Sequence, residues 1–165
     1  MSDQIRAASP LFLREPEIRR GVELLYFGHA HLTKSIDERL AAQGLGRAHH
    51  RTLYFIARSP DLTVSELLQL LAITKQSLGR VLTELQTRGL VTARAGPRDR
   101  RQKLLRLTPE GAELERQLFE DLRTRMADAY ARAGQGAVTG YWAVLEGLIP
   151  AEERERIARL QQRKT

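Results

Sequence analysis

Apolar residues along most of this chain recur at helical spacing. From Glu17 to about Gln43, Val22, Leu25, His29, Leu32, Ile36 and Leu40 mark one stripe, and Tyr26, Phe27 and Ala30 widen it. At 1.5 Å per residue such a helix spans about 40 Å, more than one small core can cover, so it is expected to pack against a partner. Gly44-Leu45-Gly46 breaks the pattern, and Arg47 to Ser59 reads as a shorter helix with Leu53 and Ile56 inward and Tyr54 and Phe55 on its flanks. Thr63-Val64-Ser65-Glu66 has the spacing of a capping box, followed by a short stripe of Val64, Leu67, Leu68 and Leu71. A fresh helix starts at Thr74, with Leu78, Val81, Leu82 and Leu85 at i, i+3, i+4 and i+7. Arg88-Gly89 ends it with a glycine suited to a left-handed C-terminal position.

The period then changes. Val91 to Ala95 and roughly Gln102 to Leu107 read as two strands joined across a turn at Gly96-Pro97-Arg98-Asp99. Thr108-Pro109-Glu110-Gly111 restarts a helix, with Thr108 as cap and Pro109 at the first position, where its missing N–H costs nothing. Leu114, Leu118, Phe119, Leu122, Met126, Ala129 and Tyr130 carry it to about Arg132. Gly134-Gln135-Gly136 interrupts it, and Val138, Tyr141, Trp142, Leu145 and Leu148 resume a short segment. Pro150 then leads into a charged helix from Ala151 to Gln162 with Ile157 and Leu160 inward.

These elements predict a mostly α fold with a small β-hairpin wing. The division is a flexible arm over residues 1–15, a long helix over 16–43, a winged helix-turn-helix over 44–107, and C-terminal helices over 108–165, the helices at both ends carrying more apolar stripe than one small domain requires; the resemblance described below makes them dimerisation helices. Two short helices joined by a tight turn, the second basic and followed by a hairpin, suit the major groove of a duplex. On the second helix Lys75, Gln76, Gly79, Arg80 and Thr83 face outward, and no acid appears before Glu84. Arg can donate two parallel bonds to guanine, and Gln can pair in the same bidentate way with adenine.

Charge sharpens this reading. The net charge is +7. Nine basic residues (Lys75, Arg80, Arg88, Arg94, Arg98, Arg100, Arg101, Lys103, Arg106) lie between Thr74 and Arg106 against two acids, Glu84 and Asp99, while the other 18 basic and 18 acidic residues cancel. The whole excess therefore sits on the recognition helix and wing, the footprint of a nucleic-acid surface. Double-stranded DNA is the expected partner, with Thr74, Lys75, Gln76, Ser77, Arg80, Arg94, Arg98, Asp99, Arg100, Arg101 and Lys103 as the candidate contacts. The chain has no cysteine, which excludes disulfides, thiolate metal sites and thiol redox sensing. With neither a membrane span nor a signal-peptide core, a cytoplasmic protein is expected.

The ordered set Leu62-Thr63-Val64-Ser65-Glu66-Leu67, Ile73-Thr74, Arg80, Leu85 to Val91, Asp99-Arg100-Arg101 and Leu107-Thr108-Pro109-Glu110-Gly111 resembles the MarR-type winged-helix transcriptional regulators. The resemblance covers most of the chain and is densest from Leu62 to Gly111. It implies interlocking terminal helices in a homodimer, a near-palindromic operator, repression relieved by a small molecule, and a wing in which Asp99 orients and Arg101 supplies a minor-groove arginine. Gly79 stands where the family more often has Ser or Thr, and Gly134 to Gly140 looks like an insertion in the dimer-forming helices. From its own neighbours, Asp99 is expected to pair with an adjacent arginine and fix its direction.

Catalytic chemistry has no foothold. Gly44-x-Gly46 follows no strand and lacks the rest of a phosphate loop, and no nucleophile elbow or metalloprotease histidine pair occurs. His29-x-His31 and His49-His50 have spacings that place neighbouring histidines on different helix faces, so neither a metal nor another cofactor is expected. Glu152 to Arg156 reads as a solvated, salt-bridged helix face. Tyr26, His29, His49, Arg51 and Tyr54, with Arg47, fall near the junction of the first two helices and are the candidates for holding a small aromatic or phenolic acid. Two other readings compete: a ligand-binding or protein-interaction module on a winged-helix fold, and a non-specific architectural DNA binder.

Overall fold

The computed structural model describes residues 10–162, so residues 1–9 of the expected arm lie outside the described residues. Pro10–Leu13 forms one turn of 3-10 helix. Seven α-helices and three short strands follow: α1 (Glu15–Ala42), α2 (Arg47–Arg58), β1 (Leu62–Thr63), α3 (Val64–Leu71), α4 (Lys75–Thr87), β2 (Val91–Ala95), β3 (Lys103–Leu107), α5 (Pro109–Ala133), α6 (Gln135–Leu148) and α7 (Ala151–Gln162).

Local chemistry accounts for most boundaries. Thr63 accepts from the Glu66 N–H at 3.2 Å while the Glu66 carboxylate takes the Thr63 N–H at 2.8 Å, the reciprocal box expected at the start of α3. Thr74 caps α4 by accepting from the Ser77 N–H at 3.1 Å. At the other end of α4, Gly89 takes φ +69°, its N–H reaches Gln86 O and the Leu90 N–H reaches Leu85 O, a complete Schellman stop. The turn between α3 and α4 is made by Ala72, left-handed at φ +51°.

The sheet contains one strand more than the hairpin read from the sequence. Its order is β1-β3-β2, all antiparallel, with Val91 opposite Leu107 and Ala95 opposite Lys103 in the wing, and Leu62 opposite Leu105 at its base. Two residues carry too little pattern to announce a strand. Val91 and Leu105 turn one face of the sheet into the core, where they meet Leu53, Ile56, Leu67, Leu71, Leu78 and Leu85. The same core takes Leu114 and Leu118 of α5.

Only the C-terminal third of α1 belongs to that core. Ile36 and Leu40 are 1% exposed, while Val22 and Leu25 of the same stripe are each 43% exposed, and α6 buries no residue at all. The interruption after α5 is narrower than expected: Gly134 alone (φ +81°) turns the chain, and Gly136 and Gly140 lie within α6. The expected insertion is thus ordinary helix. On α7, Arg154 donates to Ile149 O at 2.8 Å and Arg156 reaches Gln69 O on α3 at 3.4 Å, so part of the basic set expected in salt bridges braces backbone. The Leu160 side chain lies outside the described residues.

Candidate nucleic-acid interface

The hydrophobic stripe decides which way α4 faces. Leu78, Val81, Leu82 and Leu85 are buried, so Lys75, Gln76, Gly79, Arg80 and Thr83 are turned outward. Thr74 and Ser77 are exposed at the start of the helix, joined by a 2.8 Å hydroxyl bond. Beside α4 the wing leaves an open groove of about 500 Å³, lined by Gln86, Thr92, Ala93, Arg94, Arg100 and Lys103. Arg98, Arg100 and Arg101 stand exposed on the connection between β2 and β3.

The nine cations divide into two groups. Arg88 is held by Glu84 at 2.7 Å, and Arg94 and Arg106 are both held by Asp61. Lys75, Arg80, Arg98, Arg100, Arg101 and Lys103 have no acidic partner among the described residues. This is the set that can meet phosphate without first giving up an ion pair, because such pairs must be broken before a new anion can use the same donors. Arg94, expected as a contact, is thus engaged within the protein. Asp99 also differs from expectation. Its carboxylate accepts the Arg101 backbone N–H at 2.9 Å, fixing the turn through the main chain and leaving the Arg101 guanidinium unpaired.

Sequence reasoning passed over Asp61, and it gave Arg106 and Gly111 no hint of the contacts they make. Asp61 follows Pro60 in a turn that nothing local ties to the wing; only the pairing of β1 with β3 brings it there. Gly111 stands so close to the end of α4 that a Cβ would lie 1.9 Å from Leu90 O. Its place in the helix start hinted at a cap rather than at this contact.

A polar chain links α4 to the α1–α2 corner. Arg88 donates to Gln43 O at 2.6 Å and to Glu84; Glu84 meets His49 Nε2 at 2.9 Å; and His49 Nδ1 accepts the Gly46 N–H at 3.1 Å. With Nδ1 an acceptor, the ring's proton lies on Nε2 and is donated to Glu84. Arg88 first, then His49, holds the Glu84 carboxyl below its ordinary range.

The other ligand candidates are dispersed. Tyr26 is 69% exposed and His29 is exposed, both on the part of α1 outside the core. Arg51 donates to Leu71 O at 3.1 Å, bracing the end of α3. Tyr54 stacks edge-on against Phe55 and tilts against Phe119. Arg47 is paired with Asp37 through bonds of 2.9 and 2.6 Å, lashing α2 to α1. In the single chain Arg47, His49, Arg51 and Tyr54 are thus each held in a separate contact. Among the described residues no three His, Cys, Asp or Glu side chains come together as metal ligands. No described helix is long and apolar enough to cross a membrane.

Comparison with known proteins agrees with this geometry. Residues 43–102 match the model of the MarR family. The chain is 47% identical over 145 residues to the HTH-type transcriptional regulator PetP of Rhodobacter capsulatus, covering 87% of each chain. Its fold is similar to that of a mutant MarR from E. coli complexed with operator DNA (TM-score 0.64, 23% identity, covering 86% of this chain and 100% of that one). It is also similar to NadR in complex with 4-hydroxyphenylacetate (TM-score 0.66, 24% identity, covering 90% and 97%). At these identities the two structures speak for the fold.

Proposed function

The chain belongs to the MarR family of winged helix-turn-helix, DNA-binding transcriptional regulators, and from that premise we propose that it acts in the cytoplasm as a homodimeric repressor of a near-palindromic operator. The observation that carries this reading is the set of six unpaired cations on α4 and the wing. Gln76 and the Thr74–Ser77 pair are exposed on α4 with Lys75 and Arg80. Arg80 and Gln76 are the base-reading candidates at the centre of the exposed face of α4. Lys75, Thr74 and Ser77 suit phosphates at the helix start, and Arg98, Arg100, Arg101 and Lys103 suit the backbone or minor groove beside it.

Dimerisation is supported by the apolar surface that α1 and α6 leave uncovered. Leu24 and Phe27 on α1 and Trp142, Val144 and Leu148 on α6 are all more than half exposed. A two-fold dimer would set two copies of α4 in successive major grooves, with half-sites about one helical turn apart. Footprinting on the DNA upstream of the protein's own gene tests this. A protected, two-fold symmetric site is expected, and uniform coverage of every duplex would instead favour an architectural DNA binder.

Relief by a small aromatic or phenolic acid is the finer part of the proposal, and it rests on two supports. NadR, whose fold this chain shares, is found with 4-hydroxyphenylacetate. The chain Gln43–Arg88–Glu84–His49 joins the α1–α2 corner to the recognition helix, so a ligand acting there has a direct route to α4. A coupling of about 1–3 kcal/mol is typical, and by reciprocity operator DNA must weaken the ligand by the same factor. Calorimetry of 4-hydroxyphenylacetate with and without operator reads that coupling. Equal affinities eliminate the compound as an inducer.

A further inference from the structure

The wing is fastened at its base by one carboxylate from outside it. Asp61 lies in the turn between α2 and β1, with its backbone left-handed at φ +66° and its N–H donating to Leu105 O at 3.0 Å. Its Oδ1 accepts Arg106 Nε at 2.7 Å and Arg94 Nε at 3.2 Å, and its Oδ2 faces Arg94 Nη2 at 3.0 Å as well as Arg106 Nη2. Arg94 belongs to β2 and Arg106 to β3. Arg94 is opposite Leu104 and Thr92 opposite Arg106, so both arginines project from the same face of the sheet, the one turned away from Val91 and Leu105. One side chain thus spans three segments that carry the wing.

Two features set this clasp apart from an ordinary surface ion pair. It is built on a left-handed aspartate, a conformation that costs any residue with a Cβ and persists where surrounding contacts enforce it. It also occupies two of the nine cations of α4 and the wing, Arg94 of the groove lining among them, both with fork-shaped donors that would otherwise suit phosphate. Exposed ion pairs add little to stability, so its consequence is geometric. The two guanidinium groups, Arg106 foremost, hold the Asp61 carboxyl down at about 2, so the clasp is charged at any pH at which DNA binding is measured.

We propose that Asp61 is a positioning residue for operator recognition: it fixes the wing against the helix-turn-helix and withholds Arg94 and Arg106 from non-specific phosphate contacts. This rests on the DNA-binding reading above. With the clasp in place, the tip cations and Lys103 are the wing residues left to engage the backbone, and they do so at one distance from α4. Without it, two more cations become available and the wing is free to tilt. Binding to any duplex then rises while the preference for the operator falls.

The experiment compares wild type, Asp61→Gly, Asp61→Asn and the double variant Arg94→Gln/Arg106→Gln. Each is titrated with the footprinted operator and with a random duplex over a salt series, and amide exchange is followed in residues 91–107 of the free protein. Glycine keeps the left-handed backbone without strain, and asparagine tolerates it. Both single variants should bind random duplex more tightly, with the salt slope of log K steeper by up to about 1.8 for two added contacts at ~0.9 each. Both should show a smaller operator-to-random ratio and faster exchange in β2 and β3. The double variant should lose operator preference and exchange faster without gaining random-duplex affinity. Unchanged ratios and unchanged exchange in the folded variants overturn the proposal. If Asp61→Gly does not fold, the asparagine and double variants decide it alone. A wild type without operator preference overturns the sequence-specific reading itself, an outcome distinct from variants that retain a preference the wild type has.

Discussion

Gly111→Ala isolates the joint between the DNA-binding module and the C-terminal helices. Gly111 sits in the first turn of α5, where Thr108 caps the helix, donates its N–H to Leu90 O at 3.1 Å and its hydroxyl to Gly89 O at 2.7 Å. An added Cβ would meet Leu90 O at 1.9 Å and Leu90 C at 2.8 Å, both backbone atoms that cannot swing away. Restoring ordinary van der Waals separation needs a displacement of roughly 1.5 Å. That displacement overpacks a close contact, at about 1–3 kcal/mol, and stretches two hydrogen bonds worth about 1 kcal/mol each. Alanine's better helix propensity returns only about 0.5–1 kcal/mol. The net loss is about 2–4 kcal/mol, or about 5–15 °C in melting temperature for a chain of this size. Denaturant unfolding at fixed protomer concentration reads the loss, with Gly136→Ala as control, since nothing lies within 4 Å of a Cβ there. The control should be neutral or slightly stabilising. A Gly111→Ala protein within about 0.5 kcal/mol of wild type would refute the argument from close approach. Because the joint sets how the wing and α5 diverge, operator affinity should fall with it.

Three further outcomes follow from the side chains at the interface and in the core. Arg80→Ala should cost the operator about 1–3 kcal/mol and relax one position in each half-site; an equal loss on every sequence would make Arg80 a phosphate contact instead. Arg101→Ala should reduce the salt slope of log K by ~0.9, whereas Arg88→Ala, whose guanidinium is already held by Glu84 and Gln43 O, should leave it unchanged. Burial lowers the His50 pKa, and its Nε2 has no hydrogen-bond partner among the described residues. The unfolded chain therefore takes up the proton first as pH falls below about 6.5. Stability present above that pH is lost on acidification, at up to about 1.4 kcal/mol per unit, until the folded form protonates too. His50→Phe should flatten that stretch of the stability–pH curve; an identical curve would remove His50 as its source.

How much of this was visible in the sequence depended on the range of the interaction. The α4 stripe, the Thr63–Glu66 box, the Gly89 stop and the Thr108-Pro109 start are local, and each appears where spacing placed it, because caps and amphipathic faces are decided within one or two turns. The third strand escaped because Leu62–Thr63 is two residues long and exists only through its pairing with β3. Arg94 read as a DNA contact because charge clusters say nothing of which cations are already engaged; Asp61 lies 33 residues from Arg94 and 45 from Arg106. Likewise the junction residues shared a neighbourhood in sequence, but His49 turned to Glu84, Arg51 to Leu71 O and Tyr54 to Phe119, contacts set by how α2 lies against α3, α4 and α5. The uncovered stripe of α1 was legible as an excess of apolar residues, and Val22 and Leu25 are indeed left exposed by the single chain.

Six cations without an acidic partner among the described residues and the outward face of α4 together form the proposed sequence-reading surface. The measurement that tests it most directly is a competition titration at physiological salt, with labelled footprinted operator displaced by unlabelled operator or by random duplex. The operator should compete at least about a thousandfold better than random duplex, the ordinary margin of specific over non-specific binding. Equal competition by the two duplexes would contradict it.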